Sequence, residues 1–276
     1  MSIRPQRVTA WTIATLAAGI CLAQRGDVGS SFYQRPTIRI DRRGVPDWEL
    51  DEEFPEDVFT FARVMYDSYG GRRGGRWQID WPDSDLNFSF RLQQLTSLKV
   101  NPDPVVVEIS DPKLFDYPFL YVIEPGWGMN LSPHEAGILR RYCENGGFIM
   151  VDDFWGESEW YYFYQDLKKI FPEREPEELP LTHEVFHCVY DLTERPQVPS
   201  IGHAMSGMRT ERADAPEADY RGVFDDDGRM MMIICHNTDL GDGWEREGEN
   251  EFYFREFSEK WAYPMGINIV FYAMTH

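Results

Sequence analysis

The stretch GGFIMVDDFWG ends an apolar run in two neighbouring carboxylates, Asp152 and Asp153. Asp67 and Glu124 stand at comparable points, each just beyond an apolar segment, and Asp239 and Asp242 follow another. Carboxylates brought close together repel. Either one is pushed up in pKa and can work as an acid or base, or a cation sits among them. The plainer alternative is that one Asp caps the next helix and the other faces solvent. Adjacent residues of a strand point to opposite faces, so Asp152 and Asp153 serve one site only if the chain has already turned.

Two histidine groups offer other chemistry. In His236-Asn237-Thr238-Asp239, the histidine leaves an apolar strand and could act as a general base oriented by Asp239. Cys235 beside it makes no dyad, because strand neighbours point apart. HEVFH, residues 183–187, spells the H-E-x-x-H zinc signature. On a helix His183 and His187 would share a face, with Glu184 as base for a zinc-bound water. The context argues against a helix, since Pro176 and Pro180 lie upstream and 188–190 reads as strand. Trp77, Trp81, Trp127, Trp155, Trp160 and Trp244 crowd the same regions. They suit sugar or peptide recognition beside carboxylates, or simply core packing.

The elements that must position these groups follow from periodicity. Residues 59–66 alternate into a strand ending at Asp67, and a loop rich in Gly and Arg follows. Phe88, Leu92 and Leu95 recur at helical spacing, with Asp83 or Ser84 as cap. Strands are expected at 104–109 and 119–123. Ser132, Pro133 and Glu135 form a helix start with a capping box, and Asn145-Gly146-Gly147 stops that helix. The strand at 148–151 comes next, then a helix marked by Trp160, Phe163, Tyr164, Leu167 and Phe171 and closed by Pro172. Strand and helix alternating with short joints predicts a mostly parallel sheet with helices on both faces. Ligands of such sheets bind outside the carboxyl ends of the strands. Beyond it, 220–224 and 229–235 predict a β-hairpin with an acidic turn, 236–254 a polar loop, and 264–274 an apolar helix.

The chain has 276 residues, of which 42% are hydrophobic and 15% aromatic, enough for a ring-rich core. Its formal charge of −20 opposes nucleic acid and anionic membrane surfaces, which demand Lys and Arg clusters. Arg4 and Arg7 followed by an apolar run to Leu22 and Ala23 predict a signal peptide over 1–23 and an exported, periplasmic or extracellular protein. The run is short for a spanning helix, and no later segment could span. Residues 24–58 read as an irregular N-terminal arm and 59–276 as the α/β domain. Cys143, Cys188 and Cys235 remain after cleavage, an odd number that leaves at least one thiol free.

The blocks LNFSFRLQQLTSLKVNPD, FDYPFLYVIEPG, NGGFIMVDDFWG, HCVYDL and ICHNTDLGDGWEREGENEFYFREFSEKWAYPMGINIVFYAMTH resemble a bacterial domain-of-unknown-function family, number 4159. The resemblance covers roughly 59–276. It implies a flavodoxin-like domain related in shape to class I glutamine amidotransferases, exported or membrane-anchored, with no established activity. The amidotransferase nucleophile is a Cys on a sharp turn after a central strand, and VDDFWG holds no Cys. The expectation is therefore a binding module for a protein, small-molecule or glycan ligand of the cell envelope, with Asp67, Glu124, Asp152, Asp153, His236, Asn237 and Asp239 at its site. A metal-assisted hydrolase with a divalent cation at the acidic rim, or less favourably a zinc peptidase through HEVFH, is the alternative.

Overall fold

The computed structural model describes residues 41–50, 57–68 and 75–276. The expected signal segment, most of the expected arm and the glycine- and arginine-rich loop at 69–74 lie outside these residues. In the described part of the arm, Trp48 packs at a tilt against Phe90, 6.0 Å between ring centroids, and donates from Nε1 to the Val100 carbonyl at 2.7 Å. No helix among the described residues is long and apolar enough to cross a membrane.

Seven strands form one sheet: β1 (Ala62–Met65), β2 (Val105–Glu108), β3 (Phe119–Ile123), β4 (Phe148–Asp152), β5 (Glu177–Glu178), β6 (Asp219–Phe224) and β7 (Met230–His236). Their order is β2-β1-β3-β4-β7-β6-β5. The pairs from β2 to β7 are parallel, and β6 and β5 add antiparallel edges. The first five positions follow a doubly wound order whose switch point lies between β1 and β3. In register, Phe119 faces Phe148 and Ile123 faces Asp152, so β3 and β4 end together.

Both faces are covered, and this is why the central strands are apolar throughout. Phe119, Tyr121, Phe148 and Met150 point to one side. There they meet α1 (Asp83–Leu95), α5 (Leu240–Glu245) and α7 (Tyr263–Thr275). Leu120, Val122, Ile149 and Val151 point to α2 (Pro133–Glu144) and α3 (Gly156–Ile170) on the other. The first side is the aromatic one. Trp244 is fully buried between Phe88, at 4.3 Å between ring centroids, and Tyr121 at 5.7 Å. Gly266 permits this packing, because a Cβ there would lie 2.6 Å from both Phe88 and Trp244.

Several expectations hold in detail. Ser132 caps α2 in a reciprocal box with Glu135, and Pro133 opens the helix. β6 and β7 form the expected hairpin, its turn held by the Asp225 carboxylate, which accepts from the amides of Asp227 and Arg229. Others need correction. β1 is shorter than 59–66 and buried on both faces rather than alternating. Pro82, not Asp83 or Ser84, holds the cap position of α1; the Ser84 hydroxyl instead accepts from Arg63 at 2.8 Å. Residues 188–190 form no strand. The Asn268 side chain from α7 takes the part of a strand partner, accepting from the amides of Val189 and Tyr190 and donating to the Tyr190 carbonyl. A short α4 (Ile201–Met205) precedes β6. The expected polar loop, 236–254, contains α5 and the short α6 (Glu251–Tyr253), and a stretch of wide π-type turns, Phe254–Ala262, then runs directly into α7. Cys143, Cys188 and Cys235 are all free thiols.

Candidate functional site: an acidic rim at the carboxyl edge of the sheet

The three central parallel strands leave the sheet in the same way. β3 is followed by Glu124 at φ +48°, β4 by Asp153 at φ +55°, and β7 by Asn237 at φ +61°. Left-handed backbone at a non-glycine residue is uncommon, and such residues cluster where local strain serves a site. The turn at Asp153 separates the two neighbouring acids.

Asp152 ends β4 and points toward α5. Its carboxylate is fully buried and accepts from the Tyr121 hydroxyl at 3.0 Å and from the amides of Gly241 at 3.0 Å and Leu240 at 3.4 Å. Burial pushes its pKa up to about 7 against those hydrogen bonds. Asp152 thus anchors the start of α5, where an anion is favoured. Asp239 caps the same helix by accepting from the Asp242 amide at 2.7 Å. Asp242 in turn accepts from the Ile201 amide at 2.7 Å, the Tyr253 hydroxyl at 3.2 Å and Arg246 Nε at 3.1 Å.

A further carboxylate reaches the rim from the loop ahead of α1. Arg63, fully buried in β1, pairs with Asp85 and donates to the carbonyls of Trp77 at 2.9 Å and Ile79 at 2.8 Å. This fixes Asp80, at φ +62°, over α5. The approach depends on Gly241, since a Cβ there would lie 2.8 Å from Asp80 Oδ2 and 2.8 Å from the Tyr121 hydroxyl. Asp80 Oδ2 is buried and has no hydrogen-bond partner.

The result is two overlapping trios whose ligand oxygens lie within 4.8 Å of one another: Asp80, Asp153 and Asp239, and Asp80, Asp242 and Glu245. They differ in compensation. Arg246 Nε lies 3.1 Å from Asp242 and 2.7 Å from Glu245, so the second trio already carries a cation. Among the described residues no Lys or Arg ion-pairs with Asp80, Asp153 or Asp239; the Trp155 indole N–H donates to Asp153 at 3.3 Å. Burial first, and then the neighbouring carboxylates, raise all three acids well above the ordinary range. Three desolvated acids this close cannot all ionise without a counter-ion. All donors are carboxylate oxygens, the set preferred by a hard cation such as Ca²⁺ or Mg²⁺ and not by zinc.

Beside the first trio lies a cavity of about 80 Å³. Asp153, Trp155, Glu124, Arg76 and Trp127 are among its lining residues. Glu124 pairs with Arg76, and burial lifts its pKa to about 7 despite that partner.

The other expected site residues sit elsewhere. Asp67 is exposed and joins neither trio. Asn237 locks two loops together: its Oδ1 accepts from the Gly156 amide at 2.8 Å and its Nδ2 donates to the Glu217 carbonyl at 3.2 Å. His236 lies on the α3 side, stacked on Phe154 at 4.7 Å and bonded through Nε2 to the Gly156 carbonyl at 3.1 Å. Burial lowers its pKa to about 4. Asp239 turns to the opposite side and does not orient it. In HEVFH, Glu184–Phe186 makes one 3₁₀ turn, His183 caps it, and His187 bonds Asp191 and the Leu181 carbonyl. The histidine pair therefore has no helix face to share. Sequence reasoning missed Asp80. Asp80 follows no strand, and only the buried Arg63 brings its loop to the rim.

No curated protein matches the chain. A family model matches residues 60–274, more than half of the chain and all of the sheet. The chain belongs to the family described as Domain of unknown function (DUF4159).

Proposed function

We propose that this domain is a binding module that holds one hard divalent cation through Asp80, Asp153 and Asp239 and presents it to a ligand at the carboxyl edge of its sheet. The observation that carries the reading is a trio without an ion-pair partner among the described residues, with a buried Asp80 oxygen that lacks any hydrogen-bond partner. A cation would relieve the repulsion that holds these acids above their ordinary pKa. Its remaining coordination positions would face the cavity beside Asp153. The N-terminal Arg4, Arg7 and apolar run support export to the periplasm or extracellular space, where calcium sites work at roughly 10⁻⁴–10⁻³ M. The test is calorimetric titration of calcium and magnesium into the metal-free protein. One ion per chain is expected, with loss of binding in Asp153→Asn; saturable binding that survives in Asp153→Asn sinks the assignment.

Metal-assisted hydrolysis is the second reading. It is favoured by Glu124, whose carboxyl at about 7 lines the cavity beside Asp153 and could take a proton from a cation-bound water. Cation-dependent turnover of a chromogenic ester, amide or glycoside, abolished in Glu124→Gln, would establish it over the binding reading.

A further inference from the structure

The mouth of the cavity has a composition that the acidic trio does not explain. Trp127 is 51% exposed there, the most exposed tryptophan among the described residues. The Arg76 guanidinium covers its ring at 5.0 Å and is itself held by Glu124. Across the mouth, Arg212 pairs with Glu159, whose other oxygen accepts from the Trp155 amide at 2.7 Å. Glu211 accepts from the Ser200 amide at 2.6 Å and has His203 at 3.8 Å.

These pairings narrow the ligand class. A pocket for an anion leaves arginine unpaired, and both arginines here have carboxylate partners. A pocket for an organic ammonium leaves carboxylates free, and once Asp153 is given to the cation the described carboxylates at the mouth each have a partner. What remains is a ring of donors and acceptors already held by one another, three glutamates to two arginines, beside a half-exposed aromatic ring with Arg76 on one side. That combination fits a neutral ligand dense in hydroxyls, with C–H groups to lay on the ring's negative face. The cavity itself, at about 80 Å³, admits only part of such a ligand.

We infer that the rim binds a pyranose sugar, stacked on Trp127, whose hydroxyls enter the cavity and complete the shell of the cation. This rests on the cation reading above. Arg76 and Glu124 then act as a brace that fixes the Trp127 plane, and Arg212 with Glu159 supplies the opposing hydrogen bonds.

The experiment is calorimetric titration of the calcium-loaded protein with methyl pyranosides and linear tetrasaccharides of glucose, mannose and N-acetylglucosamine. Saturable binding of at least one probe is expected, lost on chelation and weakened about tenfold or more in Trp127→Ala, with calcium affinity unchanged and partial recovery in Trp127→Phe. Tighter binding of tetrasaccharides than of the methyl pyranosides would mark a polymer as the ligand, and equal binding a free sugar; both support the inference. Three results overturn it: no saturable binding to any probe at about 10 mM, binding that persists after chelation, or binding that Trp127→Ala leaves intact. If calcium binds but no sugar does, the cation reading stands and this inference falls. If neither calcium nor magnesium binds, both fall.

Discussion

At the residue scale, two adjacent aspartates have opposite jobs. Asp152 is fully committed to the protein, accepting from one hydroxyl and two amides. Asp152→Ala would leave those donors buried without a partner and should cost about 2–4 kcal/mol, read as a lower denaturation midpoint with no cation present. Asp80 is the reverse case. Its oxygen has no partner and its neighbours repel it. Asp80→Asn should therefore leave the metal-free protein as stable or about 1 kcal/mol more stable, while cation affinity drops tenfold or more. A variant that lost stability without cation would show that Asp80 supports the fold instead. The doublet in VDDFWG was visible in the sequence because it interrupts an apolar run. Asp80 was not, because its position depends on Arg63, whose burial in a strand no local pattern signals.

At the element scale, the rim is built by how strands stop and how α5 begins. β1 to β4, the β6–β7 hairpin and α2 are legible, because apolar runs and the Ser132–Glu135 box are local signals, whereas the two-residue β5 carries no such run. α5 is not legible. Its sequence, LGDGWE, is rich in turn formers, and the local cap from Asp239 is joined by a non-local one: Asp152 from β4 accepts from its first amides. The loop at 188–190 misread as strand for a related reason, since its backbone partner is the Asn268 side chain from 78 residues away. Gly241 joins α5 to the Asp80 loop. Gly241→Ala forces a methyl to within 2.8 Å of Asp80 Oδ2 and the Tyr121 hydroxyl. The expected outcome is about 1–3 kcal/mol of destabilisation together with weaker cation binding, measured by denaturation and calorimetry on the same sample. Destabilisation with unchanged affinity would mean that Asp80 is not held through this contact.

At the scale of the whole molecule, the acidity has a focus as well as a total. A formal charge of −20 serves solubility over most of the surface, but at the rim it is desolvated. The sign of the pH dependence follows. Asp80, Asp153 and Asp239 are raised in the folded state, and Asp152, Glu124 and Glu245 lie at about 7. A carboxyl raised on folding binds its proton more tightly folded than unfolded, so its contribution is present at low pH and is lost as pH rises from the unfolded value of about 4 through the folded one. His236, lowered to about 4, acts oppositely and destabilises as pH falls below about 6.5, with or without a cation. A cation competes with protons at the trio alone. The gain in melting temperature on adding calcium should therefore be larger at about pH 8 than at about pH 5, and a gain independent of pH would argue against binding at these acids.

The most direct test is the number of calcium or magnesium ions bound per chain at neutral pH, counted by calorimetry on the metal-free protein and on Asp80→Asn. The account requires one ion in the former and binding at least about tenfold weaker in the latter. Absence of binding at millimolar concentrations, or equal binding by both proteins, would contradict it.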